Sequence, residues 1–201
     1  NNDTGTGENA SLFLNNATNS TGGLPNGTCE LSLNRCPIFN TSDKKFGNAG
    51  INLNGSLINI TNYNAADLGA TTDIYTLEGW FRTNTKYPST SNSGTIIGKN
   101  DGGNNGYGYW FVIDTNQLAG FISDGTNVPN LYSGTTVTDG SWHHGAFVVD
   151  RSAQRLYLYL DGALVNSVAD TTVGSLKKNR DFCIGNGGVA CLTSPFNGTI
   201  D

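Results

Sequence analysis

The chain has 201 residues, a net charge of −5, 13% charged residues, 27 glycines and no methionine. Its acidity, with a pI near 4.8, excludes the basic stripe that nucleic-acid binding asks for. No apolar run approaches the roughly 18 residues of a membrane span, so direct membrane insertion is excluded too. Without a single Met, the sequence reads as a processed mature form or a fragment.

In chain order, residues 1–10 carry no hydrophobic pattern and read as a flexible arm. Residues 11–14 form a short apolar strand, and residues 15–45 a polar loop with a turn at Cys36-Pro37. Residues 49–53 and 56–60 alternate as strands around an Asn54-Gly55 turn, and residues 65–70 read as one helical turn. Residues 75–82 are a firm strand with Tyr75, Leu77 and Phe81 on one side and Thr76, Glu78, Trp80 and Arg82 on the other. Residues 95–99, 107–113, 117–123 and 130–132 make a second meander with Gly- and Asn-rich turns.

The stretch 139–165 organises the rest. Trp142, His144, Ala146 and Val148 alternate with His143, Gly145, Phe147 and Val149, the pattern of a central strand with two apolar faces. After a polar turn, Leu156, Leu158 and Leu160 alternate with Tyr157 and Tyr159. Asp161-Gly162 then supplies the two positive-φ residues of a tight hairpin. The leucines are expected to face the core and the tyrosines the other side. Strands at 181–185 and 196–200 follow, and the chain is all-β.

The ordered series D-G-S-W-H-H, L-Y-L-Y-L-D-G, F-G-N-A at 46–49, Y-T-L-E-G-W-F at 75–81, C-I-G at 183–185 and F-N-G-T-I-D at 196–201 resembles the laminin G-like domains of the concanavalin A-like lectin/glucanase superfamily. The resemblance covers roughly residues 10–201, places the domain at 11–201 and implies a two-sheet antiparallel jelly-roll sandwich used mostly for binding. In relatives one more apolar strand follows F-N-G-x-I-D. The resemblance therefore leaves this domain one strand short, with an open edge expected beside residues 196–200. Relatives also hold one structural Ca²⁺ at the sandwich rim, for which Asp101 and Asp201 are the best-placed acids. No D-x-D-x-D-G run supplies a ligand set for it.

Four cysteines allow three pairings. The two local ones, Cys29–Cys36 and Cys183–Cys191, are favoured because each clamps one loop, and zinc would ask for tighter spacing. Nine sequons, at Asn2, Asn9, Asn16, Asn19, Asn26, Asn40, Asn54, Asn59 and Asn197, point to a glycosylated, secreted or cell-surface protein.

The superfamily includes glucanases, which need paired carboxylates. Glu78 has only Thr76 and Trp80 as its neighbours on that face, and is read as the ion-pair partner of a groove-lining Arg such as Arg82. His143 and His144 point to opposite faces and cannot share a metal ion. With no nucleophile motif either, catalysis is rejected. Recognition is assigned to the polar-aromatic surface formed by Tyr157, Tyr159, Arg155, Trp80, Glu78 and Arg82. The expected function is a non-catalytic extracellular module for adhesion or for binding glycans or surface proteins. The alternative is a structural subunit of a filament or surface layer, polymerising with copies of itself by strand exchange.

Overall fold

The alternation over residues 155–160 fixes which way the hairpin faces. Leu156, Leu158 and Leu160 are 0%, 0% and 7% exposed, while Tyr157 and Tyr159 are half-buried on the opposite face. The expected assignment holds because a strand turns successive side chains to opposite sides. The adjoining turn also follows the reading, with Asp161 at φ 51° and Gly162 at φ 82°.

The structure is a computed structural model that describes residues 37–61, 73–89, 92–101, 106–172, 174–177 and 179–201. Outside the described residues lie the arm at 1–10, the strand at 11–14, Cys29 and Cys36, the sequons from Asn2 to Asn26 and the helical turn at 65–70.

Strands numbered along the chain build two antiparallel sheets. The seven-stranded sheet runs β1 (Ile38–Asn40), β2 (Gly50–Asn52), β13 (Thr199–Ile200), β4 (Ile74–Arg82), β9 (Trp142–Asp150), β10 (Arg155–Leu160), β11 (Ala163–Ala169). The six-stranded sheet runs β3 (Ile58–Ile60), β12 (Phe182–Ile184), β5 (Gly94–Asn100), β6 (Gly108–Asp114), β7 (Gln117–Ser123), β8 (Asn130–Thr136). Facing side chains from both sheets, among them Phe81, Phe111, Phe147, Leu118, Leu156 and Leu158, form one core. The result is a β-sandwich of the jelly-roll kind.

Several local features are corrected. Residues 38–40, read as loop, form β1 on β2, in register Ile38↔Asn52. The Asn54-Gly55 turn does not join paired strands, since β2 and β3 belong to different sheets. β9 is central within its sheet, between β4 and β10, but among the described residues only its inner face packs against a second sheet; Trp142, His144 and Val148 on the outer face are half-buried. The open edge expected beside residues 196–200 is not there, because β2 and β4 border β13 on its two sides.

The bordering is short. β13 meets β4 only at Phe81 and Arg82, with Asp201 and Trp80 exchanging backbone hydrogen bonds next to them. β9 pairs with β4 along its whole length. Residues 74–79 of β4 therefore have no partner on their second side among the described residues. Inner-face Tyr75 and Leu77 are only half-buried there.

Candidate functional site

Loops at one end of the sandwich enclose a pocket of about 250 Å³, lined by polar groups. Asp43 arrives from the β1–β2 loop, Asn52 and Asn54 from the end of β2, and Arg82 to Thr85 from the end of β4. Gly140 and residues 197–199 close it. Arg82 projects to the outer face because it shares strand parity with Trp80 and Glu78. Its Nη1 lies 3.0 Å from Asp43 Oδ1, with the two side chains 44% and 20% exposed. The Thr199 hydroxyl donates to Asp43 Oδ2 and fixes that carboxylate.

The expected Glu78–Arg82 pairing is thereby corrected. Residues four apart on a strand are separated by roughly 13 Å, beyond ion-pair reach. The partner comes instead from a loop some forty residues earlier in the chain.

The same loop extends the site along the outer face. The Lys45 ammonium sits 4.4 Å from the Trp80 ring centroid. Phe46 meets that ring edge-on at 5.6 Å, and His144 flanks it at 5.2 Å. Lys45 thus occupies part of the indole, and the ring offered to solvent is Phe46, 59% exposed. The amides of Lys45 and Phe46 donate to Asp201 Oδ2 at 2.7 and 2.8 Å, anchoring the loop.

The structure brings Trp80 and Arg82 together and leaves the other expected site residues apart. Glu78 lies one outer-face position beyond Trp80, away from the pocket. Tyr157 and Tyr159 share this face but are opposite Val148 and Ala146 on the far side of β9. Arg155 donates to the Ser167 hydroxyl at 2.8 Å. Asp43, Lys45, Phe46, Asn52 and Asn84 were missed; F-G-N-A was noted only as part of a family pattern, and no local pattern ties Asp43 to Arg82.

The acids named for calcium are engaged by different partners. Asp101 accepts from Arg180 Nε, and Asp201 accepts the two loop amides. Among the described residues no three His, Cys, Asp or Glu side chains gather as a metal site. Of the described sequons, Asn54 is exposed at its turn and lines the pocket with Asn197. Asn40 Oδ1 accepts the Ser42 and Asp43 amides, and Asn59 Nδ2 donates to Asp181. Cys183 and Cys191 form a disulfide, the local pairing expected.

His143 and His144 lie on opposite faces, against Phe81 and Trp80 respectively. His143 Nδ1 is 2.9 Å from Asp161 and Nε2 is 3.2 Å from Asp139. Both ring nitrogens thus face carboxylates. The Ser141 amide, with help from His143, holds Asp139 below the ordinary carboxylate range. On the outer face of the other sheet, Trp110, Phe121 and Tyr132 form an edge-to-face row. Tyr132 donates there to Asp114, whose carboxyl is pushed up by burial.

In the solved structures the fold is widespread. The chain is similar to the binding domain of Paraclostridial Mosquitocidal Protein 1 at 13% identity and a TM-score of 0.61, over 82% of this chain and 40% of that one. It thus spans about 40% of that chain's length. The CBM40 of the Ruminococcus gnavus IT-sialidase, solved with α2,3 sialyllactose, is similar at 15% identity and a TM-score of 0.57, over 75% and 85%. Domains LG4-5 of the mouse laminin alpha1 chain follow at 14% and 0.51, over 67% and 36%. No curated protein matches the sequence. A laminin G family model matches residues 54–201. That is well over half of the chain, and the protein belongs to the concanavalin A-like lectin/glucanase superfamily.

Proposed function

We propose that this chain is a non-catalytic glycan-binding module of a secreted or surface-displayed glycoprotein, acting in adhesion to glycans or to glycosylated surface proteins. The observation that carries the reading is the rim pocket. A half-exposed guanidinium, a carboxylate and four asparagines line it, and the exposed Phe46 ring lies against Trp80, one outer-face position from Arg82. Polyols are recognised by such planar polar groups, and their C–H faces pack on aromatic rings. The disulfide and the sequon load support an oxidising, extracellular setting. The binding domains and the sialidase module among the structural neighbours agree with a binding role.

Glycan-array binding of the whole chain tests this, with Arg82→Ala and Phe46→Ala as controls. Arg82→Ala is expected to lose at least about ten-fold in affinity, the scale of one lost charged hydrogen bond, and Phe46→Ala about as much through lost ring packing. A blank array for the wild type, or binding unchanged by both variants, would sink the reading.

One observation favours a second reading, a structural subunit that polymerises by strand addition. Trp80 bonds toward β13, so ladder alternation turns the N–H and C=O groups of Ile74, Thr76 and Glu78 to the same side, which has no partner among the described residues. Such an edge accepts a strand from another copy. Thr76→Pro removes one of these donors without touching the β9 ladder. Filaments in negative stain that disappear in Thr76→Pro support this reading, and a strictly monomeric wild type removes it.

A further inference from the structure

The guanidinium groups of the described residues are used in different ways. Arg151 is 1% exposed, and it donates from Nε to Asp170 and from Nη2 to the Thr172 hydroxyl and the Gly174 carbonyl. Arg180 Nε donates to Asp101, and Arg155 to Ser167. Arg82 differs. Its one close partner, Asp43 Oδ1, lies off the hydrogen-bond direction, and that oxygen has no hydrogen-bond partner. Among the described residues, Arg82 makes a charge contact through Nη1 and directs no hydrogen bond from Nε or Nη2. It does so at 44% exposure, on the wall of the pocket.

We propose that the glycan held in this pocket is an acidic one, whose carboxylate is clamped by the Nε/Nη2 edge of Arg82; this rests on the glycan-binding reading above. A guanidinium has two edges that match a carboxylate bidentately. Asp43 stands at the Nη1 end and is locked by Thr199, which leaves the second edge for an incoming ligand. The asparagines at 52 and 84 and the threonine at 85 supply amides and a hydroxyl for the ring's own hydroxyls. A pocket of about 250 Å³ is below the roughly 300–1,000 Å³ of drug-sized sites. It suits one terminal sugar ring. Asp43 also sets a limit, because its charge repels a second anionic group, so an isolated carboxylate is preferred over a densely charged polymer.

The test is calorimetry on the whole chain with uronate oligosaccharides and the same oligomers after carboxyl reduction, which differ only in a carboxylate becoming a primary alcohol. The acid is expected to bind at least ten-fold tighter at low salt, with the gap narrowing in high salt. Arg82→Ala should abolish the gap. Arg82→Lys, which keeps the charge and loses the fork, should recover less than half of it. Asp43→Asn should tighten acid binding. Equal binding of acid and reduced forms would overturn the proposal and leave the glycan-binding reading standing. Dextran sulfate binding as tightly as the uronates would reassign the site to general polyanions and overturn it as well. A wild-type chain that binds neither oligomer, and nothing on a broad array, would remove both readings together.

Discussion

Arg151 and Asp170 form an ion pair sealed from solvent. Nε and Oδ2 are 3.2 Å apart, and the side chains are 1% and 3% exposed. The Arg151 amide also donates to the Asp73 carbonyl, so this one residue ties the start of β4, the β9–β10 turn and the segment after β11. Removing one member of a buried pair leaves an uncompensated charge, at a cost of about 3–5 kcal/mol. Arg151→Ala is therefore expected to lose that much in a urea titration, with little change at the distant rim pocket. A loss under 1 kcal/mol would mean that water reaches the pair.

Alkaline pH should unfold the protein through its buried phenols. Burial pushes the hydroxyls of Tyr75, Tyr87 and Tyr132 above their ordinary value near 10, and Asp114 adds to the effect at Tyr132. Unfolding releases phenols that ionise more readily than in the folded state. The unfolded chain then binds fewer protons, and stability is full below pH 10 and falls above it. Urea midpoints should be flat up to about pH 9 and drop beyond 10, together with the 295 nm phenolate signal.

Tyr75 adds a separate test, because its buried hydroxyl has no hydrogen-bond partner. Leaving such a group unsatisfied costs about 1–3 kcal/mol. Tyr75→Phe is expected to gain about 1 kcal/mol at neutral pH and to soften the alkaline loss. A destabilised Tyr75→Phe would show that the hydroxyl has a partner.

The β6–β7 hairpin turns through Thr115 and Asn116, at φ 49° and 63°. A β-branched residue at positive φ is strained by about 1–3 kcal/mol. Asn116 is clamped by Tyr87 and Val137 through backbone bonds, so the turn cannot relax. Thr115→Gly is expected to raise stability by about 0.5–1 kcal/mol in thermal melts, the lost strain exceeding the added chain entropy. A lower melting temperature would contradict this.

The Cys183–Cys191 bridge closes a loop with a sequence separation of 8. The chain-entropy estimate gives about 2.5 kcal/mol for such a loop. Gly185, Gly188, Ala190 and Cys191 within it all have positive φ, so freeing the loop returns part of that. The double Cys183→Ala and Cys191→Ala variant is expected to lose about 1–2.5 kcal/mol and stay folded; complete unfolding would show that the bridge is essential to the fold.

What the sequence displayed well was period and turn chemistry. The leucine–tyrosine alternation and Asp161-Gly162 placed β10 and its hairpin because both signals are local. The strand at Ile38–Asn40 escaped because three residues carry too little alternation, and Asn40 closes its far end through an Asx turn. The site was half legible. Trp80 and Arg82 are set by strand parity, whereas Asp43 joins Arg82 only once β13 has brought the first loop beside β4. No pattern within a short window reports a contact of that range.

The position of β13 also bears on the order of assembly. Among the described residues β1 and β2 connect to the remainder of their sheet through β13 alone, and the Asp43–Thr199 contact spans 156 positions of chain. The meander of β5 to β8 and the β9–β10–β11 ladder contain mostly neighbouring strands and can form as soon as they leave the ribosome. The rim pocket cannot. During synthesis β2 waits, with Ile51 and Leu53 uncovered, until residues 199–200 arrive to seat it, and β3, with Ile58 and Ile60, waits for β12. Pairings of such long range form slowly and leave the chain open to aggregation in the interval. The rim pocket is therefore complete only after β13 has docked between β2 and β4.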